Sequence, residues 1–334
     1  PSFSVENKIL HRLMLCKSAV EPLHLTGRVV GCMLENPNSS PRPTREMRAI
    51  KSGKIIIEEI EIGGGDHTPI KADIRTALPG GELPLVIICH GFLAYKRWGF
   101  YPYVSERLAE SNFHVLTMSF SMNGTDEDTG MITKENEFAA NTVSRELSDL
   151  RKACAFAQNG PLPLDIRCSG WGILGHSRGA AVAILAASEF ERIRSIVTWA
   201  TPSRLDRYTQ RRKEMWKRDG ALVFSDGRST SGKLRLDYSY YEDIAANRAD
   251  YSLPDRAAEL TIPHLMIHGR RDAAVTVSEA ERMLEPERAG RVVFEVLEDC
   301  GHTFGIRHPM RRVTRELEKA VGLTLEWFKD TLIQ

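Results

Sequence analysis

The chain has no Cys-x-x-Cys pair, no run of about 18 apolar residues and almost no charge imbalance. Each absence excludes a class of protein. The six cysteines, at 16, 32, 89, 154, 168 and 300, stand singly. A zinc ribbon or a dithiol redox motif therefore has no ligands to draw on. Cys89, within Leu-Val-Ile-Ile-Cys-His, has the setting of a buried free thiol in a reducing compartment. Without a long apolar run, no segment is expected to span a bilayer as a helix. Lys plus Arg total 45 and Asp plus Glu 44. The basic surplus of a dedicated nucleic-acid binder is missing, and no nucleic-acid partner is expected. Residues 8–16 are too short and too polar a stretch for a signal peptide, so the expected location is the cytoplasm.

What is present is an ordinary globular composition, 42% apolar and 27% charged over 334 residues. That is enough chain to bury a large core without disulfide or metal staples. Residues 1–53 read as an N-terminal extension, with a turn-rich connector at 35–43. From Lys54 the pattern sharpens. Residues 54–62 and 68–78 are β-branched and alternating around Gly-Gly-Gly-Asp-His, which predicts an antiparallel hairpin. Continuous apolar runs then recur at 85–90, 113–120, 169–175, 193–200, 261–269 and 291–298, as in strands buried on both faces. Helical spacing fills the gaps at 103–112, 135–159, 178–190 and 278–286, and closes the chain at 312–330. This alternation predicts a doubly wound, mostly parallel α/β sheet. The core is expected over 54–200 and 261–334, with 201–260 inserted as a lid or cap.

The strongest local signal is Gly175-His176-Ser177-Arg178-Gly179, placed between a predicted strand and a predicted helix. A serine on such a sharp turn needs small neighbours two positions away, and glycine stands at both 175 and 179. The helix that follows offers oriented N–H groups where negative charge will develop. A serine hydroxyl also needs a base to take its proton. His302, in the loop after the strand at 291–298, fits the chain order Ser, acid, His. His90, His176, His264, His268 and His308 are rivals on position alone. The acid that orients the imidazole is expected to be Asp272, in His268-Gly-Arg-Arg-Asp272 after the strand at 261–269. Asp299 and Glu298 are its rivals. An oxyanion hole is expected from the backbone amides of Arg178 and Phe92. The latter is aimed by Gly91 in the His90-Gly91-Phe92 turn.

With those residues in view, the chain from about Ile55 to its C-terminus resembles the α/β-hydrolase superfamily. Four motifs carry the resemblance: His-Gly-Phe (90–92), Gly-His-Ser-Arg-Gly (175–179), His-Gly-Arg-Arg-Asp (268–272) and Cys-Gly-His-Thr-Phe (300–304). The first of these, continuing into Leu-Ala-Tyr-Lys-Arg, is similar to the dienelactone-hydrolase-like, cinnamoyl-esterase-like and serine-aminopeptidase-like branches. Their usual Asp-Phe-Ser-Gly-x-Gly is here Ser119-Phe120-Ser121-Met122-Asn123-Gly124. The resemblance implies a serine esterase acting on a small-molecule ester, with no metal and no organic cofactor. Further alternatives are an aminopeptidase or thioesterase on the same fold, and a non-catalytic binding protein. A dehalogenase-like reaction would need Asp where Ser177 stands.

The segment 199–251 holds eight of the 25 aromatics, five of them tyrosines. These suit an aromatic acyl group, simple lid packing, or a face between copies in a homo-oligomer. His90, Gly91, Trp199, Tyr240 and Phe304 are the residues expected to line the substrate site. Arg178 is expected to form an ion pair beneath the elbow. The basic stretch 204–218 reads as a solvated helix face.

Overall fold

The computed structural model describes residues 55–63, 68–284 and 292–333. The expected N-terminal extension, the connector at 35–43, the Gly64–His67 part of the first turn and the end of the helix at 278–286 lie outside them.

Among the described residues there are ten strands, eight of them in the main sheet. β1 (Ile56–Ile62), β2 (Ile70–Thr76), β3 (Glu82–Cys89), β4 (His114–Met118), β5 (Arg167–His176), β6 (Ile193–Trp199), β9 (His264–Gly269) and β10 (Val292–Leu297) make one sheet in the order β1-β2-β4-β3-β5-β6-β9-β10. β2 runs antiparallel to β1 and β4, and every other neighbouring pair is parallel. The hairpin and the parallel core follow the sequence pattern.

Helices cover both faces. Val86 and Ile88 of β3 pack with α1 (Tyr101–Glu110) and the terminal helix α9 (Arg315–Leu332). Leu85, Ile87 and Cys89 pack on the other side with α3 (Val143–Asn159) and α4 (Arg178–Ala186). The period-2 alternation of a strand thus divides one apolar run between two cores. In α9, Leu317, Val321, Leu325, Phe328 and Leu332 fall on one buried stripe, and the Thr314 hydroxyl caps the helix by accepting the Leu317 N–H at 3.2 Å.

The expected single helix over 135–159 is two, α2 (Glu135–Ala139) and α3. The apolar spacing runs through both. Thr142, however, is extended and caps the Arg145 N–H, which starts a new helix there. The segment between β6 and β9 contains α5 (Gln210–Asp219), the antiparallel pair β7 (Ala221–Ser225) and β8 (Lys233–Asp237), α6 (Ser239–Ala246) and α7 (Leu253–Glu259). It is organised around Trp216, whose indole N–H donates to the Leu236 carbonyl at 2.8 Å. The helix expected at 278–286 is the short α8 (Val277–Glu281) and a 3-10 turn.

Chain order reverses between β3 and β5. From β3 the sheet grows outward to β4 on one side, then returns to β5 and grows the other way. The carboxyl ends of these strands open the crevice where doubly wound folds bind ligands. The His90 turn and Ser177 both stand there. Among the described residues no helix is long and apolar enough to cross a membrane.

Candidate active site

Ser177 sits between β5 and α4 with φ 54° and ψ −119°. This is a left-handed region that a non-glycine residue occupies only under strain. Its N–H donates to the Trp199 carbonyl at 2.8 Å, which ties the turn to β6. The hydroxyl caps no helix N–H, so it is left to project from the turn. Gly179 is required sterically. A Cβ there would lie 2.4 Å from the carbonyl oxygens of both Cys89 and His90. Gly91 also approaches the elbow, with its missing Cβ 3.2 Å from that of Ser177.

Three side chains from separate strand ends meet at this turn. Ser177 Oγ lies 2.9 Å from His302 Nε2, and His302 Nδ1 lies 2.8 Å from Asp272 Oδ2. Asp272 is buried. Its Oδ1 accepts the backbone N–H groups of Ala274 and Val275, each at 2.8 Å. Burial alone would raise its pKa. Hydrogen bonds from His268 and His302 and the Val275 amide outweigh burial and hold the carboxyl well below the usual carboxylate range. Asp272 is thereby kept as an anion facing His302.

The rival residues have other work. Asp299 pairs with Arg271 and Glu298 with Arg270, both on the surface. His268 donates from Nε2 to the Val275 carbonyl at 2.8 Å, within 3.4 Å of Asp272 Oδ2. His264 is buried against Thr198. His308 accepts the Gly99 N–H at 3.0 Å and stacks on Trp98.

Among the described residues no backbone carbonyl accepts the N–H of Phe92 or of Arg178. Arg178 directly follows Ser177, and Phe92 directly follows Gly91, whose Cβ position is 3.2 Å from that of Ser177. Arg178 forms the ion pair expected of it, with the buried Glu146, and its guanidinium lies 4.5 Å from the Phe92 ring centre and 5.6 Å from that of Tyr240.

All five residues expected to line the substrate site are buried. Trp199 is fully buried and donates from its indole to Thr324 Oγ1 at 3.1 Å, under α9. Phe304 is fully buried against Trp199 and Phe100. Tyr240 is buried against Trp216 and Arg178. His90 is a clamp: Nδ1–H donates to the Gly91 carbonyl at 2.8 Å and Nε2 accepts the Phe120 N–H at 3.0 Å. Burial pushes its pKa down to about 3. Trp199 and Phe304 pack with α9, Tyr240 packs within the 201–260 segment, and His90 packs on Phe120. Phe92, next to Gly91, is 36% exposed, and its ring packs on the buried Phe138 and the half-buried Phe224 at separations of 5.6 and 6.0 Å. The contacts of Phe138 and Phe224 with the Phe92 ring were not legible in the sequence. Only the exposed aromatic in the His-Gly-Phe turn pointed to this location.

The model of the alpha/beta hydrolase family matches residues 86–316, and the chain belongs to that family. Solved structures place its architecture among esterases and dienelactone hydrolases. Est1E from Butyrivibrio proteoclasticus with ferulic acid bound is 18% identical, with a TM-score of 0.62 over 82% of this chain and 100% of that one. Dienelactone hydrolase from Anabaena variabilis is 16% identical, with a TM-score of 0.54 over 84% of this chain and 99% of that one. Mouse alpha/beta hydrolase domain-containing protein 10 is 13% identical, with a TM-score of 0.59 over 82% and 97%. At these identities the likeness is one of fold. Among curated proteins none matches the chain.

Proposed function

We propose that the protein is a serine hydrolase of carboxylic esters. One observation carries this reading: the continuous line Ser177 Oγ–His302 Nε2 at 2.9 Å and His302 Nδ1–Asp272 Oδ2 at 2.8 Å, ending on a buried carboxylate. Asp272 accepts a hydrogen bond from Nδ1–H and so leaves Nε2 free to accept a proton. Ser177 attacks the ester carbonyl carbon as its proton passes to Nε2, and the imidazolium is stabilised by Asp272. The Phe92 and Arg178 amides, which spend no hydrogen bond on the protein backbone, receive the developing oxyanion. His302 returns its proton to the leaving alkoxide. Water, deprotonated by the same nitrogen, then releases the acid and frees Ser177.

Esters are favoured over amides because an alkoxide leaves more readily than an amine. The 201–260 segment serves as the lid of this reading. Phe224 of β7 reaches the Phe92 ring, and Tyr240 of α6 reaches Arg178. Short p-nitrophenyl esters and a fluorophosphonate probe test the assignment. The native protein should turn over the former and take one adduct of the latter at Ser177. Ser177→Ala should lose both while keeping a native unfolding transition. Full turnover by Ser177→Ala would exclude the mechanism.

A further inference from the structure

His176, the residue immediately before the nucleophile, takes no part in the proton path described above. It is nevertheless at the centre of a second chain of hydrogen bonds. Its Nε2 lies 2.9 Å from the His302 carbonyl oxygen, and its Nδ1 lies 3.2 Å from the Tyr101 hydroxyl. That hydroxyl lies in turn 3.0 Å from the Gly91 backbone nitrogen.

Donor and acceptor types fix every proton. A carbonyl can only accept, so Nε2 carries the imidazole hydrogen. A backbone N–H can only donate, so the Tyr101 oxygen accepts from Gly91. The Tyr101 proton then has one place to go, the bare Nδ1 of His176. The sequence is Gly91 N–H to Tyr101 O–H to His176 Nδ1, and His176 Nε2–H to the His302 carbonyl. The ring is buried between Phe100, at a centroid distance of 5.2 Å, and His302, at 5.0 Å. Burial, reinforced by the neighbouring His302, pushes its pKa down to about 3, consistent with a neutral ring having one donor and one acceptor nitrogen.

The ends of this chain are the two loops that must be in register with the elbow. One end is the turn that presents the Phe92 amide, following β3. The other is the backbone of His302, following β10. We propose that His176, with Tyr101, is a positioning residue that locks the oxyanion loop and the His302 loop to the nucleophile strand. This role rests on the esterase reading and deepens it. His176 itself exchanges no proton with substrate.

Two near-isosteric variants test it. Tyr101→Phe removes one oxygen, leaving the Gly91 N–H and His176 Nδ1 unpaired. His176→Asn retains an acceptor near the Nδ1 position and cuts the link to His302. Hydrolysis of p-nitrophenyl acetate is measured across pH, with rates normalised to sites counted by fluorophosphonate labelling, so that misfolded molecules drop out. Each variant should lose about 10- to 100-fold in kcat with KM within about threefold of native, the signature of lost transition-state contacts. The midpoints of the kcat/KM pH profile should stay where they are. The double variant should lose little more than the worse single one, because the two side chains act as a unit. Native kcat per labelled site in both single variants would overturn the positioning role and leave the esterase reading standing. A displaced pH profile would overturn it in favour of proton transfer by His176. Absence of any Ser177-dependent turnover in the native protein would overturn the esterase reading, and the positioning role with it.

Discussion

Asp272→Asn changes one atom and should nearly silence the enzyme, for a reason that can be worked out bond by bond. Oδ1 of Asp272 accepts two backbone N–H groups, from Ala274 and Val275, each at 2.8 Å. Those amides can only donate, so an asparagine must keep its carbonyl oxygen on them. Its NH2 then occupies the place of Oδ2, 2.8 Å from His302 Nδ1, and presents hydrogens where the native carboxylate accepts one. His302 is forced to accept at Nδ1. Its proton moves to Nε2, the nitrogen 2.9 Å from Ser177 Oγ. A protonated Nε2 cannot receive the serine proton, and the imidazolium that would form has lost its anion. Locking a triad histidine in the wrong tautomer costs about 10⁴-fold in kcat, or about 5 kcal/mol of transition-state stabilisation. The assay is steady-state hydrolysis of p-nitrophenyl acetate at pH 7.5, with a circular dichroism spectrum to establish that the variant is folded. A folded Asp272→Asn protein within tenfold of native kcat would refute the tautomer argument and the role of Asp272 together.

Gly179→Ala would place a methyl group 2.4 Å from the carbonyl oxygens of Cys89 and His90. Neither backbone atom can move without parting α4 from β3. A loss of about 3 kcal/mol in urea-unfolding stability is expected, and an unchanged midpoint would show that the elbow has room to spare. Acid should destabilise the fold well before the carboxylates titrate. His90, His176 and His264 are buried with pKa values lowered from 6.5 to about 3, by burial in each case. In the unfolded chain they protonate near their ordinary value, so stability is full above about pH 6.5 and falls as pH drops toward 3. Each contributes a slope of about 1.4 kcal/mol per pH unit over that window. Urea unfolding at pH 7.5, 6 and 5 measures it, and equal stabilities at 7.5 and 5 would contradict the assignment of these rings as neutral.

The sequence made Ser177, His302 and Asp272 candidates because strand ends are legible. Each follows an apolar run, and a parallel sheet carries the ends of such runs to one edge. What fills the space around that edge was not legible. Trp199 ends β6 beside His176 in the sheet register, which made it a plausible lining residue. Its indole instead finds Thr324, 125 positions away, because α9 covers that face. Phe224 had the opposite fate. The runs Ala221–Ser225 and Lys233–Asp237 alternate around an Asp-Gly turn, a hairpin signal within the segment expected only to be an inserted lid or cap. That hairpin brings Phe224 to Phe92. The break between α2 and α3 was overridden by apolar periodicity, although Thr142 is a capping residue in the right place.

Left-handed backbone recurs around the same edge. Besides Ser177, three non-glycine residues in loops after β3, β6 and β10 have positive φ: Leu93, Ala200 and Phe304. Such conformations cost roughly 1–2 kcal/mol each. They also occur away from the site, at Asn112, Leu164 and Asp165, so strain alone does not mark function. What differs is how each is held. The elbow lies on β5, between β3 and β6, with its N–H tied to Trp199, and the Ala200 N–H is tied in the same way to Ile267 of β9. His302 is framed differently. It follows β10, the last strand of the sheet, which pairs with β9 alone. The proposed base thus follows an edge strand, which frames it on one side only. The bond from His176 to the His302 carbonyl therefore supplies from the elbow itself a constraint that the sheet provides for Ser177 on both sides.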